Sequence, residues 1–275
     1  MKNQKYLLIF GSIFIILLMI AFPVGILLSP SITPMELLSA KPYVEIGNLI
    51  IIVPSSTFIV YLLGAITIFF GIKLTKLEES YKKYWGISLI LWGIGTVLAG
   101  TSYQGLGYML KCDNQELCLF TSWFELSYLY VTALSITLMG YAVAKKSICV
   151  DKLNLYTKII FIGFIGYTIS LVLGIVFEIQ LLITYEWFLL FFLPYFISFM
   201  VINVKGNKRS KNETDKGLIN VWLIMLLINI LYFAYFYSGL GELLYDDYSI
   251  WFSANDVLHV GLIPWMYYIY IVVKK

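Results

Sequence analysis

The feature that most limits how this chain can fold is a series of long apolar runs, each near 20 residues. An α-helix needs about 20 apolar residues to cross the hydrocarbon core of a bilayer. Since lipid offers no partner to backbone polar groups, each run must satisfy its own hydrogen bonds as a helix. The sequence therefore predicts an all-α membrane protein, an eight-helix transmembrane bundle. The predicted spans are residues 6–28, 47–72, 84–110, 119–144, 155–177, 181–204, 217–238 and 250–273.

Composition agrees with this class. The chain is 60% hydrophobic and 13% charged, whereas a soluble domain carries about 25% charged residues. The connections leave no room for a soluble domain, so residues 1–275 are predicted to form one polytopic transmembrane domain. The run at 6–28 is long for the apolar part of a signal peptide and lacks a small-residue cleavage site at its end. It is therefore predicted to be a span.

Lysine and arginine are distributed unevenly between the two sets of connections. Seventeen of the 19 basic residues fall on one side of the predicted bundle, and only Lys41 and Lys111 fall on the other. Because basic loops stay in the cytoplasm, both termini are predicted to be cytoplasmic and the protein to lie in the plasma membrane. The basic loops then face anionic lipid, so membrane lipid is an expected partner and nucleic acid is not.

Acidic residues concentrate on the opposite, outer side. They are Glu36, Glu45, Asp113, Glu116, Glu178, Glu186, Glu242, Asp246 and Asp247. A negative outer mouth would attract cations, protons included, and repel anions. The alternative is that acidic residues are merely tolerated outside the membrane and have no role there.

Two of the three cysteines, Cys112 and Cys118, fall in the third loop, on the predicted outer side. A disulfide can close so short a loop, and oxidising conditions outside the membrane let it persist. A bridge between them is predicted, with two unpaired thiols as the alternative. Cys149 lies on the cytoplasmic side and is expected to be reduced. Two cysteines with one distant histidine do not make a zinc site.

An internal repeat is indicated by two similar helix ends. They read YQGLGYML at 103–110 and YSGLGELL at 237–244, identical at five of eight positions. Each is followed by an acidic outer loop, a Trp-Phe pair and a carboxylate, Glu125 or Asp256. The pattern predicts two parallel four-helix repeats, in halves 1–146 and 155–275. Chance similarity between two glycine-rich helix ends is the alternative.

The last apolar run carries the most unusual polar group of the chain. It holds the single histidine, His259, three residues after Asp256 and four after Asn255. At these spacings the side chains share one side of a helix. Burying them in lipid is costly unless they face protein or a water-filled cavity. This helix is therefore predicted to line a functional site.

Other polar side chains are expected at a similar depth in the outer half of the membrane. Glu125 and Tyr128 lie on the fourth predicted span, and Tyr103 and Gln104 lie near the end of the third. With Asp256 and His259 they predict an outward-facing ligand or proton site. The alternative is that these groups only bond to one another between helices. A metal held by His259 and the two carboxylates is a weaker interpretation, because nothing fixes their geometry; no metal and no cofactor are predicted.

The last helix carries a resemblance. Asn255-Asp256-x-x-His259, followed by a Tyr-rich apolar helix, resembles multi-pass membrane proteins of bacteria and archaea. It is more distantly similar to the alkaline ceramidase and adiponectin receptor superfamily of membrane hydrolases. The resemblance implies a hydrolase with a zinc held by several histidines. Only His259 matches such a ligand, so this chain departs from the pattern and cannot build that zinc site.

These patterns predict a membrane protein that binds or transports a small solute at an outward-facing polar site, with proton coupling as one form of that activity. Two alternatives stay open. One is an intramembrane enzyme that hydrolyses a lipid. The other is a structural or accessory subunit that needs a partner membrane protein, because glycines and aromatic faces suit helix packing equally well.

Overall fold

The computed structural model describes residues 32–275, so the predicted span at 6–28 lies outside the described residues. Within 32–275, seven helices are long and apolar enough to cross a membrane. They are α2 (Pro54–Thr75), α3 (Ser80–Gly100, continued by a π-helical segment, Thr101–Gly105), α5 (Trp123–Ser147), α6 (Val150–Val176), α7 (Tyr185–Ser210), α8 (Glu213–Ser238) and α10 (Ala254–Lys274). The chain is thus a multi-pass helical membrane protein.

Short elements connect the spans. The first are helix α1 (Pro34–Ser39) and an antiparallel hairpin of β1 (Tyr43–Ile46) and β2 (Leu49–Ile52). Helix α4 (Gly107–Lys111) follows the π-helical segment, a 3₁₀ turn (Gln180–Ile183) follows α6, and helix α9 (Leu240–Tyr248) follows α8.

The hairpin corrects one predicted boundary. The predicted span 47–72 begins too early, because its first residues form the turn and second strand of the hairpin. Gly47 occupies the turn with φ +62°, a conformation that glycine adopts without strain. The helix starts only at Pro54, a residue well suited to a first helical position. The other six spans overlap the predicted ones, with their ends displaced by a few residues.

The tightest packing in the bundle is between α2 and α3. A Cβ added at Gly86 would lie 2.7 Å from the Gly71 carbonyl oxygen, and one at Gly93 would lie 2.7 Å from the Gly64 carbonyl oxygen. Small residues let membrane helices approach this closely. Around this pair, α10 packs against α2 and α8, while α5 packs against α3, α6 and α7.

The two ends of the bundle differ in charge. We call the end with α1, the hairpin, α4 and α9 the acidic end. The end where α2 joins α3, α5 joins α6 and α7 joins α8 is the basic end, and α10 finishes there at Lys274. Each end carries the excess of acidic or of basic residues that the sequence predicted for it. That the basic end faces the cytoplasm stays a prediction.

Cysteine labelling tests this orientation. Glu213 at the basic end and Asp247 at the acidic end are both exposed. In a Cys149→Ser background, which removes the exposed free thiol, we expect an impermeant maleimide added to intact cells to label Asp247→Cys. Glu213→Cys should react only after the membrane is opened. Labelling of Glu213→Cys in intact cells would show that the basic end faces outward, which contradicts the predicted orientation.

Candidate functional site

A buried carboxylate with several partners lies at the acidic end, at the start of α5. Ser122 caps this helix, and Glu125 stands in its first turn with 3% of its surface exposed. Glu125 Oε1 accepts hydrogen bonds from Lys111 Nζ at 2.7 Å and from Ser102 Oγ at 2.8 Å. Thr121 Oγ1 donates to Oε2 at 3.0 Å. The carboxylate is therefore held by one ammonium and two hydroxyls.

The partners of Glu125 are positioned by the connection between α3 and α5. Ser102 lies in the π-helical segment, a rare conformation that occurs often at functional sites. Lys111 is the last residue of α4, and the next residue, Cys112, is bridged to Cys118. The Lys111 carbonyl accepts from the Leu119 amide at 2.8 Å. The predicted disulfide is present, and it closes the loop that begins beside Lys111.

A second lysine lies near Lys111. Lys41, between α1 and the hairpin, is half-buried. Burial lowers the pKa of Lys41, and the like charge of Lys111 lowers it further. The structure thus brings together the two basic residues that the charge count assigned to the acidic end. Two carboxylates, Glu125 and the half-buried Glu186 in the first turn of α7, lie at the same end as these two lysines.

An apolar cleft of about 370 Å³ reaches this group of polar side chains. It is lined by Leu110, Leu119, Thr121, Ser122, Trp123, Phe124 and Leu126. Trp123 is 73% exposed, so the cleft opens on the apolar surface of the bundle. Ser122 Oγ lies 2.6 Å from Ser102 Oγ, which in turn bonds to Glu125. Hydroxyls therefore connect the cleft to the carboxylate.

Two of the predicted tyrosines belong to the same site. The Tyr103 ring lies 5.4 Å from Lys111 Nζ and meets the edge of Tyr128, with ring centroids 6.3 Å apart. Tyr128 packs further on Tyr185 and Phe188. An ammonium over an aromatic ring is favourable, so Tyr103 adds to the support of Lys111.

Asp256 and His259 lie in the first turns of α10. Asp256 is fully buried, and its Oδ2 accepts from Ser253 N at 2.7 Å and Ser253 Oγ at 2.8 Å. This is a capping box at the start of α10. Asp256 Oδ1 and His259 Nδ1 are buried without a hydrogen-bond partner in residues 32–275. Asn255 is exposed, so its side chain turns away from this pair.

The structure groups the predicted residues in two sets. Glu125, Tyr103 and Tyr128 are joined by the contacts above. Asp256 and His259 lie on α10, which packs against α2 and α8 rather than along α5. Within the described residues no hydrogen bond or ion pair joins Glu125 to either of them. Gln104 is buried, and its Oε1 has no partner in this part of the chain. A site shared by all seven predicted residues stays a prediction.

Sequence reasoning missed a third buried carboxylate, at the basic end. Asp215 is 1% exposed in the first turn of α8, and its Oδ1 accepts from Ser147 Oγ and, at 2.9 Å, from Asn203 Nδ2. Trp222 Nε1 donates to Asn203 Oδ1 at 2.8 Å. The network joins α5, α7 and α8, and Gly206 leaves room for the Asp215 carboxylate. The signal in the sequence was a pair of polar residues, Ser147 and Asn203, near the basic ends of two apolar runs.

No group of three or more His, Cys, Asp or Glu side chains in residues 32–275 is placed to hold a metal ion. Comparisons with protein-family models, with curated proteins and with solved structures find no match. The fold defines the class, a multi-pass helical membrane protein.

Proposed function

We propose that the protein binds a small amphiphilic solute with one anionic head group, a carboxylate or a phosphate, at the acidic end. The observation that carries the proposal is the apolar cleft whose Thr121 and Ser122 hydroxyls adjoin the Lys111–Glu125 ion pair. Ligand sites are commonly apolar with a few well-placed polar groups that fix orientation. The proposal keeps the solute binding predicted from the sequence, but it differs in two respects: the cleft is entered from the membrane side, and the ligand is an anion, which the negative outer mouth was predicted to repel.

Local charge selects the head group. Lys111 and Lys41 are the two basic residues of this end in the described part of the chain, and in this proposal they attract the anion. Glu36, Glu45 and Asp113 are exposed and Glu186 is half-buried, and salt screens exposed charges beyond about 8 Å. The apolar part of the solute would lie on Leu110, Leu119 and Trp123. Entry through the cleft, from the membrane side, avoids the negative surface.

Proton coupling stays one proposed form of this activity. An anion that pairs with Lys111 competes with Glu125 for the ammonium. Glu125→Gln keeps the shape of the side chain and removes the carboxylate, so any proton uptake on solute binding that needs this group should be lost in the variant.

A head-group series tests the proposal. With protein in nanodiscs, we expect octanoate to bind about tenfold more tightly than octanol or octylamine, because a charge-assisted contact is worth about 1.5–3 kcal/mol. Trp123 fluorescence reports binding, with Trp123→Phe as the signal blank. Lys111→Gln and Lys41→Gln should each remove the preference, while Lys208→Gln, exposed at the opposite end, should not. Equal binding of all three amphiphiles would refute the proposal.

The lipid-hydrolase alternative is favoured by one observation. Ser122 lines the cleft, and its Oγ is linked through Ser102 Oγ to Glu125. In this mechanism Ser122 Oγ attacks an ester carbonyl, and its proton passes through Ser102 to Glu125. The ester C–O bond then breaks, the proton returns through Ser102 to the leaving alcohol, and water hydrolyses the acyl-Ser122 to release the carboxylic acid. Turnover of a short-chain phospholipid ester in nanodiscs, lost in Ser122→Ala and kept in Ser39→Ala, would support it. Binding of octanoate without any ester turnover favours the solute site.

A further inference from the structure

A second cleft lies at the opposite, basic end, between the last turns of α2 and α10. Its volume is about 340 Å³. It is lined by three lysines, two aromatic rings and a leucine: Lys73, Lys76, Lys274, Phe69, Tyr270 and Leu77. None of these residues belongs to the site proposed above.

The three lysines of this cleft are free of carboxylates. Within residues 32–275 the ion pairs are Lys82 with Glu79 and Lys111 with Glu125. Glu79, in the turn beside the cleft, is thus engaged by Lys82, which also donates to the Lys274 carbonyl at 3.1 Å. Glu78, next to Leu77, is exposed and is in neither of these ion pairs, so three lysines stand against one nearby unpaired carboxylate and the cleft keeps a net positive charge. A lysine near the C-terminal end of a helix is stabilised by the helix dipole. Two helix ends, those of α2 and α10, meet at this cleft, whereas three lysines line it.

Aromatic rings hold two of these ammonium groups at the rim. Lys73 Nζ lies 5.3 Å from the Phe69 ring centroid, and Lys274 Nζ lies 5.6 Å from that of Tyr270. Tyr270 is itself stacked on Phe70, with centroids 4.9 Å apart. The stacked rings join α2 to α10 below the lysines, so packed side chains form the floor of the cleft.

The apolar surface continues from the cleft along both helices. Phe69 is 54% exposed and Ile72 is 43% exposed on α2, and Tyr267 is 51% exposed on α10. These residues lie within spans that cross the hydrocarbon core. A ligand in the cleft would therefore contact lysines at one end and a lipid-facing apolar surface at the other.

We infer that this cleft binds the head group of an anionic phospholipid. The phosphate contacts Lys73, Lys76 and Lys274, and the acyl chains lie on the exposed face of Phe69 and Tyr267. Basic pockets between membrane helices on the cytoplasmic side recognise anionic lipid in this way. A soluble anion would contact only the lysines. A phospholipid would contact the lysines with its phosphate and the adjoining apolar surface with its acyl chains, so the two features together favour a lipid.

Native mass spectrometry of the delipidated full chain tests this inference. Phosphatidylglycerol and phosphatidylcholine with the same acyl chains are titrated separately. The test variant carries Lys73→Gln, Lys76→Gln and Lys274→Gln. The control carries Lys152→Gln, Lys205→Gln and Lys208→Gln, three exposed lysines of the same end outside the cleft. Both variants lose the same charge, so a general surface effect would change them equally.

We expect the test variant to lose about a hundredfold in affinity for phosphatidylglycerol, since each lysine near an anionic lipid contributes about fivefold. The control should stay within about threefold of the unmodified protein, because its lysines, although as exposed as those of the test variant, do not line the cleft and salt screens their charge. Phosphatidylcholine should bind weakly to all three proteins, and excess inorganic phosphate should leave the bound lipid in place. Equal losses in both variants, equal binding of phosphatidylcholine, or displacement of the lipid by inorganic phosphate would each overturn the inference.

Discussion

Replacing Lys111 with methionine should destabilise the folded bundle by about 3 kcal/mol. The Lys111 side chain is 17% exposed and Glu125 is 4% exposed, so the variant leaves a buried carboxylate without its counter charge. Removing one partner of a buried ion pair costs about 3–5 kcal/mol, and the lower value applies because Lys111 keeps some contact with solvent. The measurement is the unfolded fraction across a denaturant series in mixed micelles, with far-ultraviolet circular dichroism as the signal.

The control for this result is the other ion pair. Glu79→Gln removes the counter charge of Lys82, whose side chain is 7% exposed, while the Glu79 side chain is 53% exposed. The amide oxygen of the introduced glutamine can still accept from the Lys82 ammonium, which also keeps its hydrogen bond to the Lys274 carbonyl, so this change should cost less than Lys111→Met. Adding Glu125→Gln to Lys111→Met removes the stranded charge and should recover part of the loss. An equal effect of Lys111→Met and Glu79→Gln would show that Glu125 does not depend on its ammonium partner.

Gly86→Ala should separate α2 from α3 and cost about 2 kcal/mol. A Cβ at Gly86 would lie 2.7 Å from both the Gly71 carbonyl oxygen and the Thr75 backbone nitrogen. Backbone atoms cannot move aside as a side chain can, and overpacking of this kind costs about 1–3 kcal/mol. Because α3 also carries the π-helical segment with Ser102, the substitution should weaken octanoate binding as well.

Gly166→Ala is the matched control for this substitution. The nearest atom to an added Cβ there is Phe191 Cζ at 3.8 Å, an ordinary contact. Alanine favours a helix over glycine by up to about 1 kcal/mol, so this variant should be as stable as the unmodified protein or slightly more so. The same denaturant series compares the two. Tolerance of alanine at Gly86 would mean that the close approach of α2 and α3 contributes nothing.

The positions of the spans and the depth of the polar residues were accessible from the sequence. Run length predicts membrane helices well, and equal depth placed Tyr103 and Tyr128 with Glu125. Depth alone says nothing about which side of a helix meets which neighbour. The partner of Glu125 is Lys111. The sequence singled out Lys111 only as one of two basic residues on the predicted outer side, where basic residues are otherwise absent.

Other features were hidden for physical reasons. The second strand of the hairpin, Leu49–Ile52, is as apolar as a membrane helix, so it was included in the predicted span that the structure begins at Pro54. Asp215 follows a basic loop and reads as a loop residue, yet the first turn of α8 buries it against Gly206. Asp256 was singled out for its charge, and its visible role in the structure is to cap α10.

The bridge between Cys112 and Cys118 has a consequence for how the protein matures. Lys111 directly precedes the bridged loop, so the bridge restrains the backbone from which its ammonium reaches Glu125. On the orientation proposed above, closure waits until this loop has crossed the membrane and met an oxidising compartment. A chain held back in the reducing cytoplasm would keep an open loop and a loosely held ion pair. A fully assembled site would therefore indicate that the third loop has crossed the membrane.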